Sequence, residues 1–511
     1  MLSASLDSSG WTIIQPQAGD RVIYVSSSQG KDTNTGLSTS SPVKTLQRGK
    51  SLIRSGHGDE MLLKRGDVWH EAIGIWTHNG ASASDPNVIG AYGTGARPEI
   101  MSGTSNGIQT GVMGAETINN VAIVGLHFYA DGRDHNSPTY VSNKPTIGID
   151  WLTAGSNLLI EDCEVEGYGT NINIQGYYGT MHNVQIRRVT DINAWAISMQ
   201  SEGVYANNVS NLLIEGSTFD HNGWNLNVGA VQKWTNHNLY LASNTSGVTV
   251  RDNVISRASG YGLQARGGGA IQNNLFMYDP MGMSFGLVNG AASTPGGVSG
   301  SITGNIFEYG IDMGSIPGDG IELGNIKPGA NVVVANNLFA HSSSDNRSAI
   351  TLTYGGGSTN GNPTVGINDL TIQNNTFDDW RGGIRIDGGL VPGGTGPQAI
   401  NNVKMINNTF TKMTGSVLSV GGRFDPQEEV WSGNRYAGMI NINGKAQVSS
   451  SVSLPPVFKN PQLDAASYNA TQGGADSLTD FLNREFSQSH ANWNPNYDAL
   501  VVESYIWSGF Q

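Results

Sequence analysis

Cysteine is nearly absent: Cys163 is the single one in 511 residues, which excludes an internal disulfide framework. Its setting, Leu159-Ile160-Glu161-Asp162-Cys163-Glu164-Val165, reads as a strand with the thiol acting as a small buried hydrophobe. Charge is scarce as well. Asp, Glu, Lys and Arg together make 14% of the chain, against about a quarter in ordinary soluble domains. Solvated helix faces are built from such residues, so a coiled coil, a helix bundle and an ordinary doubly wound α/β enzyme are excluded. Proline is limited to 18 residues and glycine follows no three-residue period, which excludes collagen. No stretch is apolar enough for a membrane span, and no Lys/Arg block points to nucleic acid or an anionic membrane. The first residues lack the basic start and apolar run of a secretory signal. An extracellular or periplasmic setting then implies a trimmed signal or another export route, and a phage virion is the other setting compatible with the chain.

What is present is glycine, 69 residues, about twice the roughly 7% of average usage. With 38% hydrophobic residues, 11 Trp and 13 Phe the chain can build a core, so disorder is excluded. A turn-rich β protein remains, its surface made polar by Asn, Ser, Thr and Gly. The net charge of −13 does not exclude an acidic polymer as partner, because a groove can be locally basic.

The middle of the chain repeats. Val250–Ile255, Ile271–Phe276, Ile302–Phe307, Val334–Phe339, Ile372–Phe377 and Ile406–Phe410 share one pattern, with Asn at 253, 274, 305, 337, 375 and 408. Ile160–Val165 and Ile214–Phe219 carry the same apolar spacing with Cys163 and Ser217 at that position, and Ile186–Thr190 is a weaker copy. Units this small cannot bury a core alone, so neighbours must stack. The apolar residues then form interior ladders, and each Asn can hydrogen-bond its equivalents above and below. The pattern predicts an all-β, right-handed parallel β-helix of about ten coils. A propeller would need four strands per blade of about 40–50 residues.

The ends differ from the body. Arg21–Val25 and Glu60–Val68 read as strands, and Thr45–Ser55 as a short helix capped by Thr45 that plugs the open end of the core. Leu478, Phe481, Leu482 and Phe486 form one helical stripe near the C-terminus, and Tyr497, Leu500, Val501 and Tyr505 a second. The expected organisation is a cap with first coils over 1–110, a β-helix body over 111–450, and an extension with two amphipathic helices over 451–511.

Ile23-Tyr24-Val25-Ser26, Gly30 to Gly36, Ser41-Pro42-Val43-Lys44-Thr45-Leu46 and Gly58-Asp59 through Trp69 resemble the opening of the pectate-lyase-like β-helix superfamily. The resemblance covers roughly residues 20–450, largely through the repeat. It implies the fold and leaves the reaction open, since the superfamily includes polysaccharide lyases, glycoside hydrolases, epimerases and tailspike depolymerases. The Asp pairs and Gly-His-Gly of polygalacturonases have no match.

After each Asn turn comes a strand of form Gly-Ile-x-Ile-x whose x positions face outward. The expected pairs are Gly148/Asp150, Asn173/Gln175, Ser198/Gln200, Tyr240/Ala242, Gln264/Arg266, Glu322/Gly324, Thr351/Thr353 and Arg385/Asp387. Stacked at about 4.8 Å per coil they make one elongated polar face suited to an extended polymer. Chemistry crowds its midpoint. Lys233, His237, Tyr240 and Arg266 are the candidate catalytic residues, and Gln200, His221, Trp224, Trp234, Gln264 and Glu322 the candidate substrate contacts. His221 also reads as a turn cap, the two Trp as turn packing, and Tyr240 and Arg266 as a merely solvated face. Gly267-Gly268-Gly269 beside Arg266 would let a ligand approach the backbone.

A lyase must neutralise a uronate carboxylate, remove the C5 proton and protonate the leaving oxygen. Arg266 or Lys233 suits the first task, His237 or Lys233 the second, Tyr240 the third. A hydrolase needs two carboxylates about 5–5.5 or 6.5–9.5 Å apart, and Asp150, Glu322 and Asp387 fall on separate coils; only a turn residue such as Asp220 or Asp319 could complete a pair. The expected function is therefore cleavage of an acidic polysaccharide by β-elimination, with hydrolysis or tailspike-type depolymerisation, and glycan adhesion without turnover, as alternatives. No metal site is assigned, though Asp378-Asp379 and Asp312/Asp319 would suit Ca²⁺, and a trimer is compatible with a tailspike origin.

Overall fold

The computed structural model describes residues 1–111, 117–287, 293–315, 318–342, 348–354, 364–448 and 454–511. They form two compact units. The first comprises Met1–Val231 with Glu485–Asn494, the second Gln232–Arg484 with Pro495–Gln511.

In both units each coil gives one strand to each of three parallel sheets. In the first unit Ile123 pairs with Ile160, Ile160 with Ile186, and Ile186 with Ile214, one apolar rung per coil. All four are fully buried. In the second unit Phe276, Phe307, Phe339, Phe377 and Phe410 stack with ring centroids 4.6, 4.8, 4.9 and 4.5 Å apart. This spacing is that of neighbouring strands, so every aromatic ring rests on the next coil's equivalent. One of the three sheets contains thirteen strands among the described residues, where about ten coils are expected. The early coils escape the pattern because Leu126 and Val189 stand beside Cys163 and Ser217 at the Asn position, as the pairings of Glu164 with His127 and Thr190 require.

The Asn ladder is continuous in the second unit. Asn253 donates through Nδ2 to Asn274 Oδ1 at 2.8 Å, and the same bond recurs from Asn274 to Asn305, Asn337, Asn375 and Asn408, then on to Asn434. The residue before each Asn turns through the left-handed region, with φ 58° at Asp252, 52° at Asn273 and 57° at Asn336. Asn and Asp tolerate that conformation better than other residues with a Cβ, which accounts for the paired Asn-Asn of the repeat. In the first unit the Cys163 thiol fills the equivalent place; burial pushes its pKa up to about 12, so it is an inert filler.

At the N-terminal end α1 (Leu46–Ser51) is shorter than expected. Thr45 caps it, accepting from Arg48 N at 3.1 Å. A Cβ on Gly49 would lie 2.7 Å from Val25 and 3.1 Å from Met61, so the helix sits tightly against the first strands. The second expected strand ends early, at Lys64, and Val68–Trp69 belongs to another sheet.

Three helices follow the coils: α2 (Ala465–Thr471), α3 (Leu478–Phe486) and α4 (Ala499–Gly509). Phe481 and Leu482 are buried as their stripe predicts. The second stripe is misphased. Leu500 and Val501 are 41% and 40% exposed, and α4 instead buries Val502, Glu503 and Ile506, because its chain starts at the Asp498 cap, one residue after Tyr497. The amphipathic signal of α2 is weak over seven residues, and sequence reading missed it.

Candidate functional site

In the second unit the outward positions of one sheet form a single column. Tyr240 pairs with Gln264, Gln264 with Ser284, Ser284 with Glu322, Glu322 with Thr351, and Thr351 with Arg385. The expected pairs of this unit therefore align, with Ser284 as a rung that the sequence pattern missed. In the first unit Asp150 pairs with Asn173 and Asn173 with Tyr205. Tyr205, within Glu202–Asn207, takes the rung expected for Ser198/Gln200. Gln200 lies in an exposed loop, since Met199-Gln200 lacks the apolar alternation that would seat it in a strand.

The column's centre is not a solvated face. Tyr240, Arg266 and Gln264 are 8%, 6% and 2% exposed. The Arg266 guanidinium lies 4.4 Å over the Tyr240 ring, a cation–π contact that strengthens where water is excluded. His237 shares strand parity with the core residues Leu239 and Leu241, yet its ring is 5.1 Å from Tyr240 and 5.2 Å from Tyr261. Trp234, half-buried, meets Tyr261 edge-on at 5.8 Å. Lys233, half-buried, is pinned through its backbone: its N–H donates to Ser259 Oγ at 2.7 Å, and the hydroxyl returns a bond to Lys233 O at 3.1 Å. Gln264 Oε1 and Ser284 Oγ are buried and find no hydrogen-bond partner among the described residues, a rare condition for polar atoms.

Other expectations change. The glycine run serves packing rather than ligand approach: a Cβ on Gly267 would lie 2.1 Å from Thr245 O, one on Gly268 2.5 Å from Ser299 O, and one on Gly269 2.7 Å from Val248. In the first unit His221 sits at a coil corner with φ 56°. Its Nδ1 is 3.0 Å from Asn193 Oδ1, and its ring lies 4.1 Å from that of Trp224 at a 54° tilt, so the two candidate contacts meet at one corner. Asp378 is bonded to Thr411 and, at 3.1 Å, to Lys412. Asp319 accepts from Ser348 N and Thr351 Oγ1 at 3.1 and 3.2 Å, so these oxygens already have partners.

Sequence reading missed a second cluster. On the outer face of another sheet in the first unit, His127 pairs with Glu164 and Tyr129 with Glu166 on adjacent coils. Glu99, His127, Glu164 and Arg97 border a cavity of about 510 Å³ that Phe486, Ser487, Ser489 and Asn492 also line. Burial disfavours the charged imidazole of His127, but the carboxylates of Glu166 and Glu164 outweigh it and raise its pKa. The signal lay in two x-alternations, His127-Phe128-Tyr129 and Glu164-Val165-Glu166, on coils without the Asn marker.

A family model described as the right handed beta helix region matches residues 140–294. No curated protein matches the sequence. Among solved structures the chain is similar to DFA-IIIase from Arthrobacter chlorophenolicus A6 in complex with GF2, at 13% identity over 81% of this chain and 99% of that one, with a TM-score of 0.44. It is similar to PfbA, a surface adhesin of Streptococcus pneumoniae, at 12% identity over 80% and 94%, TM-score 0.42. It is also similar to the GH136 lacto-N-biosidase from Eubacterium ramulus, at 13% identity over 83% and 68%, TM-score 0.38. The fold is a right-handed parallel β-helix.

Proposed function

We propose that this chain is a carbohydrate-active enzyme that binds an extended acidic polysaccharide along the outward column of the second unit and cleaves it by β-elimination. The observation that carries the reading is the Arg266 guanidinium held 4.4 Å over the Tyr240 ring, a fixed cation beside a phenol with His237 adjoining it. The partnerless Gln264 Oε1 and Ser284 Oγ one and two coils along supply hydrogen-bonding capacity for sugar hydroxyls, and Glu322 and Trp234 extend the contact surface.

In this mechanism Arg266, with Lys233 as a second cation, pairs with the uronate carboxylate and stabilises the charge that develops when C5 loses its proton. His237 takes that proton. The C4–O bond breaks as a C4=C5 double bond forms, and the Tyr240 hydroxyl protonates the departing glycosidic oxygen. Such a substrate places the work outside the cytoplasm.

The test is incubation with a panel of uronate polysaccharides, followed by ultraviolet absorbance of the unsaturated product. Turnover should fall by about 100-fold or more in Arg266→Ala and strongly in Tyr240→Phe, with the fold retained by circular dichroism. Unchanged turnover in both variants removes the site from this column. New reducing ends without the absorbance would mean hydrolysis, and binding with neither signal would mean adhesion.

A further inference from the structure

We propose that His127, Glu164 and Glu166, on the outer face of the first unit, form a binding site for a divalent transition-metal ion of the zinc type. In a strand alternate residues share a face, so Glu164 and Glu166 project together while Val165 between them is buried in the core. The register sets His127 beside Glu164 on the preceding coil. His127 Nε2 then lies 3.8 Å from Glu164 Oε1 and 3.8 Å from Glu166 Oε2, and one ligand atom from each of the three residues lies within 4.8 Å of the other two.

An ion pair alone does not account for this spacing. A charge-assisted N–H···O bond closes to about 2.7–2.9 Å, whereas Nε2 is buried and has no hydrogen-bond partner among the described residues. The spacing fits a shared cation instead. Three ligand atoms within 4.8 Å of one another have a point at most about 2.8 Å from each, and a contraction of about 0.6 Å reaches the 2.0–2.2 Å of zinc–nitrogen and zinc–oxygen bonds.

The remaining carboxylate oxygens are occupied in the way that orients ligands. Glu164 Oε2 is 3.4 Å from Arg97 Nη1, itself anchored to Asp162, and Glu166 Oε1 accepts from Asn193 Nδ2 at 3.0 Å. These contacts aim Glu164 Oε1 and Glu166 Oε2 toward the imidazole, the function of outer partners in metal centres. One imidazole and two carboxylates suit a borderline ion rather than calcium, which takes oxygen ligands. Three protein ligands leave a fourth position, and the 510 Å³ cavity that His127 and Glu164 border gives a small ligand access to it.

The test uses the full chain stripped with chelator and titrated with Zn²⁺ in a calorimeter, and with Co²⁺ while its visible spectrum is followed. One equivalent should bind at about 10 µM or tighter, with cobalt bands of low coordination number. His127→Ala and the near-isosteric Glu166→Gln should each weaken binding by about tenfold or more, and Asn193→Ala by about 10–100-fold. His182→Ala, at an exposed histidine of the same unit, should leave it unchanged. Circular dichroism checks the fold, and Glu166→Gln keeps the test decisive if His127→Ala misfolds. No binding by the unaltered chain, or equal binding in Glu166→Gln, overturns the site.

Discussion

Replacing one ladder residue, Asn337, with Ala tests whether side-chain hydrogen bonding between coils holds the second unit together. Asn337 is fully buried. Its Oδ1 accepts from Asn305 N at 2.9 Å and Asn305 Nδ2 at 3.0 Å, and its Nδ2 donates to Ile302 O at 3.0 Å and Asn375 Oδ1 at 2.9 Å. Alanine strands the Asn305 backbone N–H, while Asn305 Nδ2 keeps Ile271 O at 3.0 Å and Thr303 O at 3.3 Å. A buried donor without a partner costs about 1–3 kcal/mol, so the loss should be about 1–3 kcal/mol, a sizeable part of the 5–15 kcal/mol that typically holds a domain. Asn375 Oδ1 softens the effect because Asn337 N still donates to it. Urea unfolding followed by tryptophan fluorescence measures the loss, with exposed Gln398→Ala as a control expected within about 0.5 kcal/mol. A loss below about 1 kcal/mol in Asn337→Ala would refute the reasoning and leave the aromatic stack as the main vertical bond.

Two further outcomes follow from packing and titration. Gly267→Ala must push its new Cβ off Thr245 O, 2.1 Å away, and should cost about 1–3 kcal/mol or more in the same unfolding assay; a neutral result would mean the backbone there has room for a ligand. Glu429 is fully buried, and burial raises its pKa to about 7 against the backbone bond from Asp425. A carboxyl whose folded pKa is raised supports stability below its ordinary value near 4.5 and loses that support as pH climbs to about 7. Glu429→Gln should therefore flatten the decline in urea midpoint between pH 4.5 and 7, a term of about 3 kcal/mol, and an unchanged profile would contradict it.

Fold legibility was high wherever a rung repeats. The Asn positions from 253 to 408 and the Phe beside five of them declare stacking directly, because in a solenoid identical residues meet their own equivalents one coil away. The outward column from Tyr240 to Arg385 was readable for the same reason, since strand parity is local. The first unit was harder to read, because its ladder position holds Leu126, Cys163, Val189 and Ser217 in turn and no single letter marks the coil.

The linear order of residues thus determined the repeat, the interior ladders and the face on which Tyr240, Gln264 and Arg266 stand. Tertiary structure alone decided burial and partnership. It turned a presumed solvated face into a packed cation–aromatic pair, filled the space beside Gly267 with Thr245 O, and set His127 against two carboxylates 37 and 39 positions further along the chain. Periodicity specifies which side chains share a face, but the length of each intervening turn specifies which coil, segment or loop comes to cover them, and turn lengths here vary from coil to coil without a pattern that local physics can read.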